Sequence, residues 1–123
     1  MPKLRLSYFD IHGGRGEPAR LALTLGKIPF EDHRIPMAEF MSAREAFPLR
    51  AVPVLEVDGV AITQSNTICR YVGRLAGLYP DTPLAAAHCD EVLDIVEDLL
   101  ARIVATVDAV TGPDTLALLR MIS

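Results

Sequence analysis

The sequence has no tryptophan and only two cysteines among its 123 residues. Cys69 and Cys89 form neither a CxxC pair nor a metal-ligand spacing, and we interpret each as a small buried side chain rather than a reactive thiol. The three histidines are scattered along the chain, which does not suggest a zinc site. We therefore expect no bound metal.

Long apolar runs and clusters of positive charge are also absent. No run approaches the roughly 18 apolar residues of a membrane-spanning helix, and residues 1–6 lack the apolar stretch of a signal peptide. The net charge is −4 with lysine and arginine dispersed, whereas binding to nucleic acid requires concentrated positive charge. Since 50% of the residues are apolar, the chain has ample material for a core. These features predict a cytoplasmic globular protein that binds neither membranes nor nucleic acid.

The first third of the chain contains two strand patterns around a helix pattern. Alternating side chains over residues 4–9 predict the first strand. A glycine-rich turn at residues 12–16 follows, and Glu17-Pro18 opens a helix, because the missing N–H of proline costs nothing in a first turn. Gly26 is expected to close this helix as the residue that follows it. Residues 29–35 predict a second strand.

The middle of the chain contains the strongest β pattern. Two apolar runs, residues 52–57 and 60–63, flank Asp58-Gly59, the dipeptide that a type I′ hairpin turn favours. Ser65 or Asn66 is then expected to cap the next helix through its side chain.

Three further helical patterns complete the chain. A weak one covers residues 36–48, and a clear one after the hairpin is stopped by Gly77. A linker at residues 80–83 precedes an apolar stripe that runs at helical spacing from residue 84 to residue 110. Gly112-Pro113 is expected to end this long helix.

The order of these elements is β-α-β-α-β-β-α, followed by the long helix. Crossover helices together with a terminal hairpin imply an α/β fold with a mixed four-stranded sheet and helices on its faces. This order is that of the thioredoxin fold. We therefore predict a thioredoxin-like domain at residues 1–79, a linker at 80–83 and an all-helical segment at 84–123.

Four motifs in this order resemble those of the cytosolic glutathione transferases. They are Tyr8-Phe9-Asp10 before the glycine turn and Glu17-Pro18-Ala19-Arg20, Ala51-Val52-Pro53-Val54-Leu55, Gln64-Ser65-Asn66-Thr67-Ile68 with Arg70-Tyr71, and the helix that starts at Asp90. Among the classes, residues 31–35 and 55–59 most resemble the tyrosine-type sigma class. The resemblance implies a glutathione-binding domain followed by the start of a second, all-helical domain that the chain carries in truncated form.

In this family the resemblance assigns the chemistry to Tyr8 and Arg15. The phenolic O–H of Tyr8 would stabilise the thiolate of glutathione by a charge-assisted hydrogen bond, and Arg15 would add positive potential beside the sulfur. From the residues alone, Tyr8 also fits an ordinary core tyrosine on an alternating strand, and Arg15 fits a solvated loop arginine.

The resemblance also implies how the peptide part of glutathione is held. Val52, before a cis Pro53, would present its backbone to the cysteinyl residue. Gln64 and Ser65, at a helix N-terminus, would bind the γ-glutamyl carboxylate. From the residues alone, a trans proline that begins an edge strand and a plain N-cap serine remain open.

Three more positions are implied as glutathione contacts. Arg44 would bind the glycyl carboxylate, and Asp98 would reach the γ-glutamyl ammonium from the second subunit of a homodimer. Phe40 occupies the position of the family's tryptophan, so an indole N–H donor is lost, and Ala51 offers no side-chain hydrogen bond. These departures imply weaker glutathione binding than in a typical member.

The expected activity is conjugation of reduced glutathione, as co-substrate, to a small electrophile. A non-catalytic glutathione transferase-like module is one alternative. A second alternative is an activity like that of the sigma-class prostaglandin D isomerases. Three acidic residues of the long helix resemble the acidic interface of those enzymes: Asp94, Glu97 and Asp98. A solvated acidic face of the helix also explains these residues. A thiol redox protein of the glutaredoxin type ranks last, because no cysteine lies near Tyr8 in the sequence.

Overall fold

A computed structural model gives the structure of the protein and describes residues 1–111, with side chains through Thr106. The chain divides into two compact units, one of Met1–Tyr79 and one that begins at Pro80. The predicted end of the long helix at Gly112-Pro113 lies outside the described residues.

The first unit contains four strands, three helices and two short 3-10 turns. In chain order they are β1 (Leu4–Phe9), α1 (Glu17–Leu25), β2 (Glu31–Ile35), α2 (Met37–Ala43), 3-10 turns at Arg44–Ala46 and Pro48–Arg50, β3 (Val54–Val57), β4 (Val60–Ile62) and α3 (Ser65–Leu75). The predicted order of strands and helices is confirmed, and the weak helix at 36–48 is resolved into α2 and the start of the 3-10 segment.

The strands form one sheet in the order β2-β1-β3-β4. β1 runs parallel to β2, with Tyr8 paired to Arg34, and antiparallel to β3, with Ser7 paired to Val54. β3 and β4 form the antiparallel hairpin. The predicted mixed four-stranded sheet is therefore confirmed.

The core lies between one face of this sheet and the helices α1 and α3. Leu4 and Leu6 alternate with residues of the opposite face along β1, which gives the strand one continuous apolar side. Its main partners are buried side chains of α1, β3 and α3: Leu23, Leu55, Ile68 and Val72. On the opposite face, the ring of Phe9 packs edge-on against Phe40 of α2, with 4.8 Å between centroids.

The hairpin turn has the predicted geometry, but the start of α3 does not. Asp58 and Gly59 both have positive φ, 49° and 83°, as a type I′ turn requires. Ser65 and Asn66 both lie inside α3, and the N-cap is Gln64, with φ 72° and no side-chain capping bond. The prediction of a Ser65 or Asn66 cap is wrong because only two residues connect β4 to α3, and the sharp turn falls on Gln64.

Gly26 does not adopt the left-handed conformation typical of a glycine after a helix. It is the C-cap of α1 with φ −74°, and the next residue, Lys27, has φ 53°. A Cβ at position 26 would lie 2.7 Å from the Cβ of Ala76, at the end of α3. The glycine is therefore needed for the close approach of two helix ends rather than for its backbone freedom.

The second unit contains α4, which runs over Pro83–Thr111 and confirms the long helix predicted from residue 84 to residue 110. Several large apolar side chains of α4 are exposed: Leu84, Val92, Ile95, Val96, Leu99 and Ile103. Within residues 1–111, no helix combines the length and apolarity that crossing a membrane requires.

Candidate active site

Three strand ends meet at one edge of the sheet. Because β1 and β2 are parallel and β3 is antiparallel to β1, the carboxyl ends of β1 and β2 lie beside the start of β3. The last pair of the β1–β3 ladder joins Ser7 to Val54, so the same register sets Tyr8 opposite Pro53. The Val52-Pro53 peptide bond is cis, as the family resemblance implied.

Tyr8 is enclosed at this edge by the glycine-rich turn. Its side chain is 1% exposed, and its hydroxyl oxygen accepts a hydrogen bond of 2.9 Å from the N–H of Arg15. A Cβ on Gly14 would overlap the hydroxyl, and a Cβ on Gly16 would overlap the ring. The absence of side chains at these two positions lets the turn close directly over the phenol.

Burial and hydrogen bonding act in opposite directions on the acidity of Tyr8. Desolvation raises the pKa of its phenol above the usual 10.0, while the N–H groups of Arg15 and Gly16 and the positive charges of Arg15 and Arg20 lower it by less. At neutral pH, Tyr8 is therefore a neutral phenol that keeps its hydroxyl proton. Arg15 acts on it through both its backbone and its charge, and its side chain is half-buried rather than a fully solvated loop arginine.

Arg20 ends the motif Glu17-Pro18-Ala19-Arg20 and is buried, although the sequence predicted no role for it. It lies on α1 with 4% of its surface exposed, and its guanidinium carbon is 5.6 Å from the centre of the Tyr8 ring. In the structure, Arg20 lies with Ala19 and Leu23 on the buried face of α1. A charged residue on such a face indicates a specific partner, since an unpaired buried charge is costly.

The start of α3 reaches the same edge of the sheet. β4 is antiparallel to β3, with Ile62 paired to Leu55, so the residues that follow Ile62 return toward the start of β3. Gln64 is exposed there in a backbone conformation that is rare outside glycine, φ 72° and ψ 117°, and Ser65 is the first helical residue. The first N–H groups of a helix have no intrahelical acceptor, which makes this end suited to an anion.

Phe40 and Arg44 follow β2 on α2 and the first 3-10 turn. Phe40 is 5% exposed, and its ring packs on Phe9, so it forms part of the support beneath the edge. The guanidinium Nε of Arg44 lies 4.0 Å from a carboxylate oxygen of its neighbour Glu45. Asp98 is exposed on α4, in the second unit.

The cysteines are half-buried rather than fully buried, and both are free thiols. Burial raises the pKa of the Cys69 thiol, which disfavours the reactive thiolate form. In the part of the chain with described side chains, no group of three or more histidine, cysteine, aspartate or glutamate residues is arranged to hold a metal ion.

Comparison with known proteins identifies the family. Residues 16–75 match the family described as Glutathione S-transferase, N-terminal domain. The chain is 39% identical over 81% of its length to a hematopoietic prostaglandin D synthase of Gallus gallus, and 39% identical over 84% to glutathione S-transferase 1 of Ascaris suum, covering 50% of each. It thus spans about half the length of the curated relatives it matches.

Solved structures agree with the sequence relatives. The structure of a prostaglandin synthase D of Nilaparvata lugens superposes with a TM-score of 0.79 at 33% identity, over 97% of this chain and 59% of that one. A glutathione S-transferase of Ascaris lumbricoides superposes with a TM-score of 0.76 at 38% identity, over 88% of this chain and 53% of that one. Because relatives are 39% identical to it over more than four fifths of its length, and residues 16–75 match the family's N-terminal domain, the chain belongs to the glutathione S-transferase family.

Proposed function

We propose that the protein binds reduced glutathione and conjugates it through its sulfur to a small electrophile, with the hydroxyl of Tyr8 stabilising the thiolate. The observation that carries this proposal is a buried, neutral phenol at the edge of the sheet where β1, β3 and α3 converge. A phenol that keeps its proton is the form able to donate a hydrogen bond to a sulfur anion.

Ionising the thiol of glutathione at neutral pH requires only a modest free energy from the site. A free cysteine-type thiol has a pKa of about 8.5, so only a few per cent is ionised at neutral pH. Each unit by which the site lowers that pKa corresponds to about 1.4 kcal/mol of preferential binding of the thiolate. In the reaction, the thiol proton passes to solvent, the sulfur forms a bond to the electrophilic carbon, and the leaving group departs with its electron pair.

Arg15 has two roles in this proposal. Its backbone N–H donates to the Tyr8 hydroxyl oxygen over 2.9 Å and so holds that oxygen in place. Its positive charge favours an anion beside the phenol. The hydrogen bond from Arg15 uses the acceptor side of the hydroxyl, which is compatible with donation of the hydroxyl proton to sulfur.

The rest of glutathione would be held along the same edge. Val52 would offer its backbone to the cysteinyl residue, next to Pro53, in the manner of an added strand. Gln64 and Ser65 would bind the γ-glutamyl carboxylate through the start of α3, and Arg44 would bind the glycyl carboxylate. Phe40 borders this region without a hydrogen-bond donor, which supports a lower affinity than that of a member with tryptophan there.

We assign glutathione binding to residues 1–79, with residues 80–83 as the linker and residues 84–123 as the start of a helical domain. Asp98 would contact the γ-glutamyl ammonium of glutathione bound to a second copy, which makes the proposed unit a homodimer. The sigma class is the class that the sequence motifs and the prostaglandin synthase relatives favour.

A pair of assays tests the transferase proposal. Retention on immobilised glutathione reports binding, and conjugation of a chloro-nitroaromatic electrophile reports turnover. We expect wild type to bind and to turn over, and Tyr8→Phe to bind with at least about tenfold lower turnover. Tyr71→Phe, which removes a phenol from α3, is the matched control and should retain wild-type turnover.

Two outcomes would count against this proposal. Binding without turnover in any of the three proteins would favour the non-catalytic module. Turnover that Tyr8→Phe leaves unchanged would remove Tyr8 from the mechanism.

An isomerase activity of the prostaglandin D type is the second candidate, favoured by the relatives of that name. It would use the same thiolate of glutathione and the same phenol. Product analysis with an isomeric prostaglandin precursor, in the presence of glutathione, distinguishes it from simple conjugation. Formation of prostaglandin D that depends on Tyr8 would support this candidate, and its absence beside active conjugation would reject it.

A further inference from the structure

Arg20 is a buried cation that is bonded on every side of its guanidinium. Its Nε donates to an oxygen of Asp32 at 2.9 Å, Nη1 to the carbonyl of Ile11 at 3.1 Å and Nη2 to the carbonyl of Phe9 at 3.0 Å. Nη1 also lies 3.6 Å from a carboxylate oxygen of Glu17. Because a buried charge is tolerated only when it is paired and hydrogen-bonded, these contacts account for the burial of Arg20.

The two carbonyl acceptors lie at the exit of β1. Phe9 is the last residue of the strand and Ile11 is two residues later, so Arg20 holds the backbone on both sides of Asp10. Tyr8 immediately precedes this point, and the turn that covers its ring immediately follows. In that turn the N–H of Arg15 donates to the Tyr8 hydroxyl at 2.9 Å.

A chain of charges connects Arg20 to the neighbouring strand. One oxygen of Asp32 bonds Arg20, and its other oxygen accepts from Nε of Arg34 at 2.8 Å. Nη1 of Arg34 in turn donates to Asp10 at 3.2 Å. We call these four residues, Asp10, Arg20, Asp32 and Arg34, the Arg20 network. It ties α1 and β2 to the backbone that leads into the turn.

We propose that Arg20 is a positioning residue, whose three-way fork holds the exit of β1 so that the Arg15 N–H and the Tyr8 hydroxyl stay aligned for the sulfur. This inference rests on the proposed function for its catalytic consequence. Lysine keeps the charge but lacks the planar fork, so it cannot bond Asp32 and both carbonyls together. Arg20→Lys therefore separates geometry from charge.

The first measurement requires no glutathione. Hydrogen exchange of the Arg15 amide in the full chain reports whether its bond to the Tyr8 hydroxyl is kept. We expect exchange at least about tenfold faster in Arg20→Lys than in wild type. Arg5→Lys is the matched control, because Arg5 also bonds carboxylates across strands but touches neither carbonyl at the exit of β1. It should leave the rate within about twofold of wild type.

The second measurement shows how Arg20→Lys changes the acidity of the glutathione thiol and the rate of conjugation. We expect the pKa of the glutathione thiol in the Arg20→Lys complex to rise toward its value in buffer by about one unit. The kcat for conjugation should fall about tenfold, with KM for glutathione changed much less, because the contacts that hold the peptide are not altered. A loss of stability alone would change neither the thiol pKa nor this division between kcat and KM.

The outcomes separate the two proposals. Unchanged Arg15 exchange and unchanged thiol pKa in Arg20→Lys would overturn the positioning role. If wild type itself fails to lower the thiol pKa, the proposed function fails and the exchange rate alone decides the role of Arg20. If Arg20→Lys does not fold, Asp32→Asn, which keeps the arginine and weakens its anchor, decides by the same two readouts.

Discussion

Tyr8 experiences two opposing influences on its hydroxyl. Burial disfavours the phenolate, while two backbone N–H groups and two arginines favour it, and burial has the larger effect. The side chain thus remains a hydrogen-bond donor over the whole physiological pH range. A donor that stays protonated in this range is suited to stabilise another group's anion rather than to act as a base.

The raised pKa of Tyr8 predicts a loss of stability in alkali. Well below pH 10, roughly the pKa of an ordinary phenol, Tyr8 is protonated in both folded and unfolded chains and contributes no pH dependence. As the pH rises from there toward the folded pKa, the unfolded chain releases this proton first, so the free energy of unfolding falls. Urea unfolding from pH 9 to pH 11, roughly the range that brackets an ordinary phenol, should show a steeper fall for wild type than for Tyr8→Phe. The same fall in the free energy of unfolding for both proteins would show that the pKa of Tyr8 is not raised in the folded chain.

The position of Tyr8 was accessible from the sequence, whereas the residue that supports it was not. Alternation on β1 and the motifs around it placed Tyr8 at the end of the first strand. Arg20 lies on an amphipathic helix, where an arginine usually indicates the solvated face, and its partners include two backbone carbonyls that no sequence pattern reveals. The sequence also did not predict Gln64 as the N-cap. Gln64 caps α3 through the backbone conformation that the two-residue connection imposes, and not through its side chain.

At the scale of the elements, the packing of α1 on α3 depends on one close approach. Gly26 ends α1 in a conformation that any residue can adopt, φ −74°, yet a Cβ there would lie 2.7 Å from Ala76 and 3.2 Å from the carbonyl of Ala22. The requirement for glycine is therefore steric. Gly26 therefore ends the helix, as the sequence predicted, without the left-handed conformation that a glycine in this place usually adopts.

Gly26→Ala should lower the free energy of unfolding by about 1–3 kcal/mol, because the added methyl group forces the two helix ends apart. In the background of Ala76→Gly the same substitution should cost less, since the nearest clashing atom is gone. Urea unfolding of the four proteins measures both values. Equal costs in the two backgrounds would show that Ala76 is not the neighbour that excludes a side chain at position 26.

Strands and helices were predictable where a periodic apolar pattern met turn residues of fixed chemistry. The hairpin is the best case, because Asp58 and Gly59 carry the two positive φ angles that the turn requires. The segment between α2 and β3 was less predictable. Leu49 and Arg50 have φ of 57° and 53° without being glycine, and only the surrounding fold can impose such angles.

At the scale of the whole molecule, α4 presents an apolar stripe to solvent. Its exposed members lie at spacings of three and four residues, so they share one face of the helix: Val92, Ile95, Val96, Leu99 and Ile103. An apolar face of this extent is uncommon on a monomer and predicts a cover, either the other helices of a bundle or a second copy of the chain. It is consistent with the homodimer proposed above, in which Asp98 serves the site of a second copy.

Removal of one apolar anchor from this stripe should weaken self-association. Leu99 is 56% exposed, and Leu21, on α1, is 54% exposed, which makes Leu21→Lys a matched control for Leu99→Lys. We expect sedimentation velocity to show a concentration-dependent dimer for wild type and Leu21→Lys, and a shift toward monomer for Leu99→Lys by about tenfold in dissociation constant. Equal dissociation constants for the two variants would exclude the stripe as the dimer surface.

The acidity of glutathione's thiol in the complex, measured from the ultraviolet absorbance of the thiolate across pH, shows whether Tyr8 stabilises the anion. For wild type we predict a pKa at least about one unit below that of free glutathione, equivalent to about 1.4 kcal/mol of preference for the anion. For Tyr8→Phe, with glutathione still bound, we predict a return to the value in buffer. A thiol that ionises at the same pH in both complexes would contradict the role assigned to Tyr8.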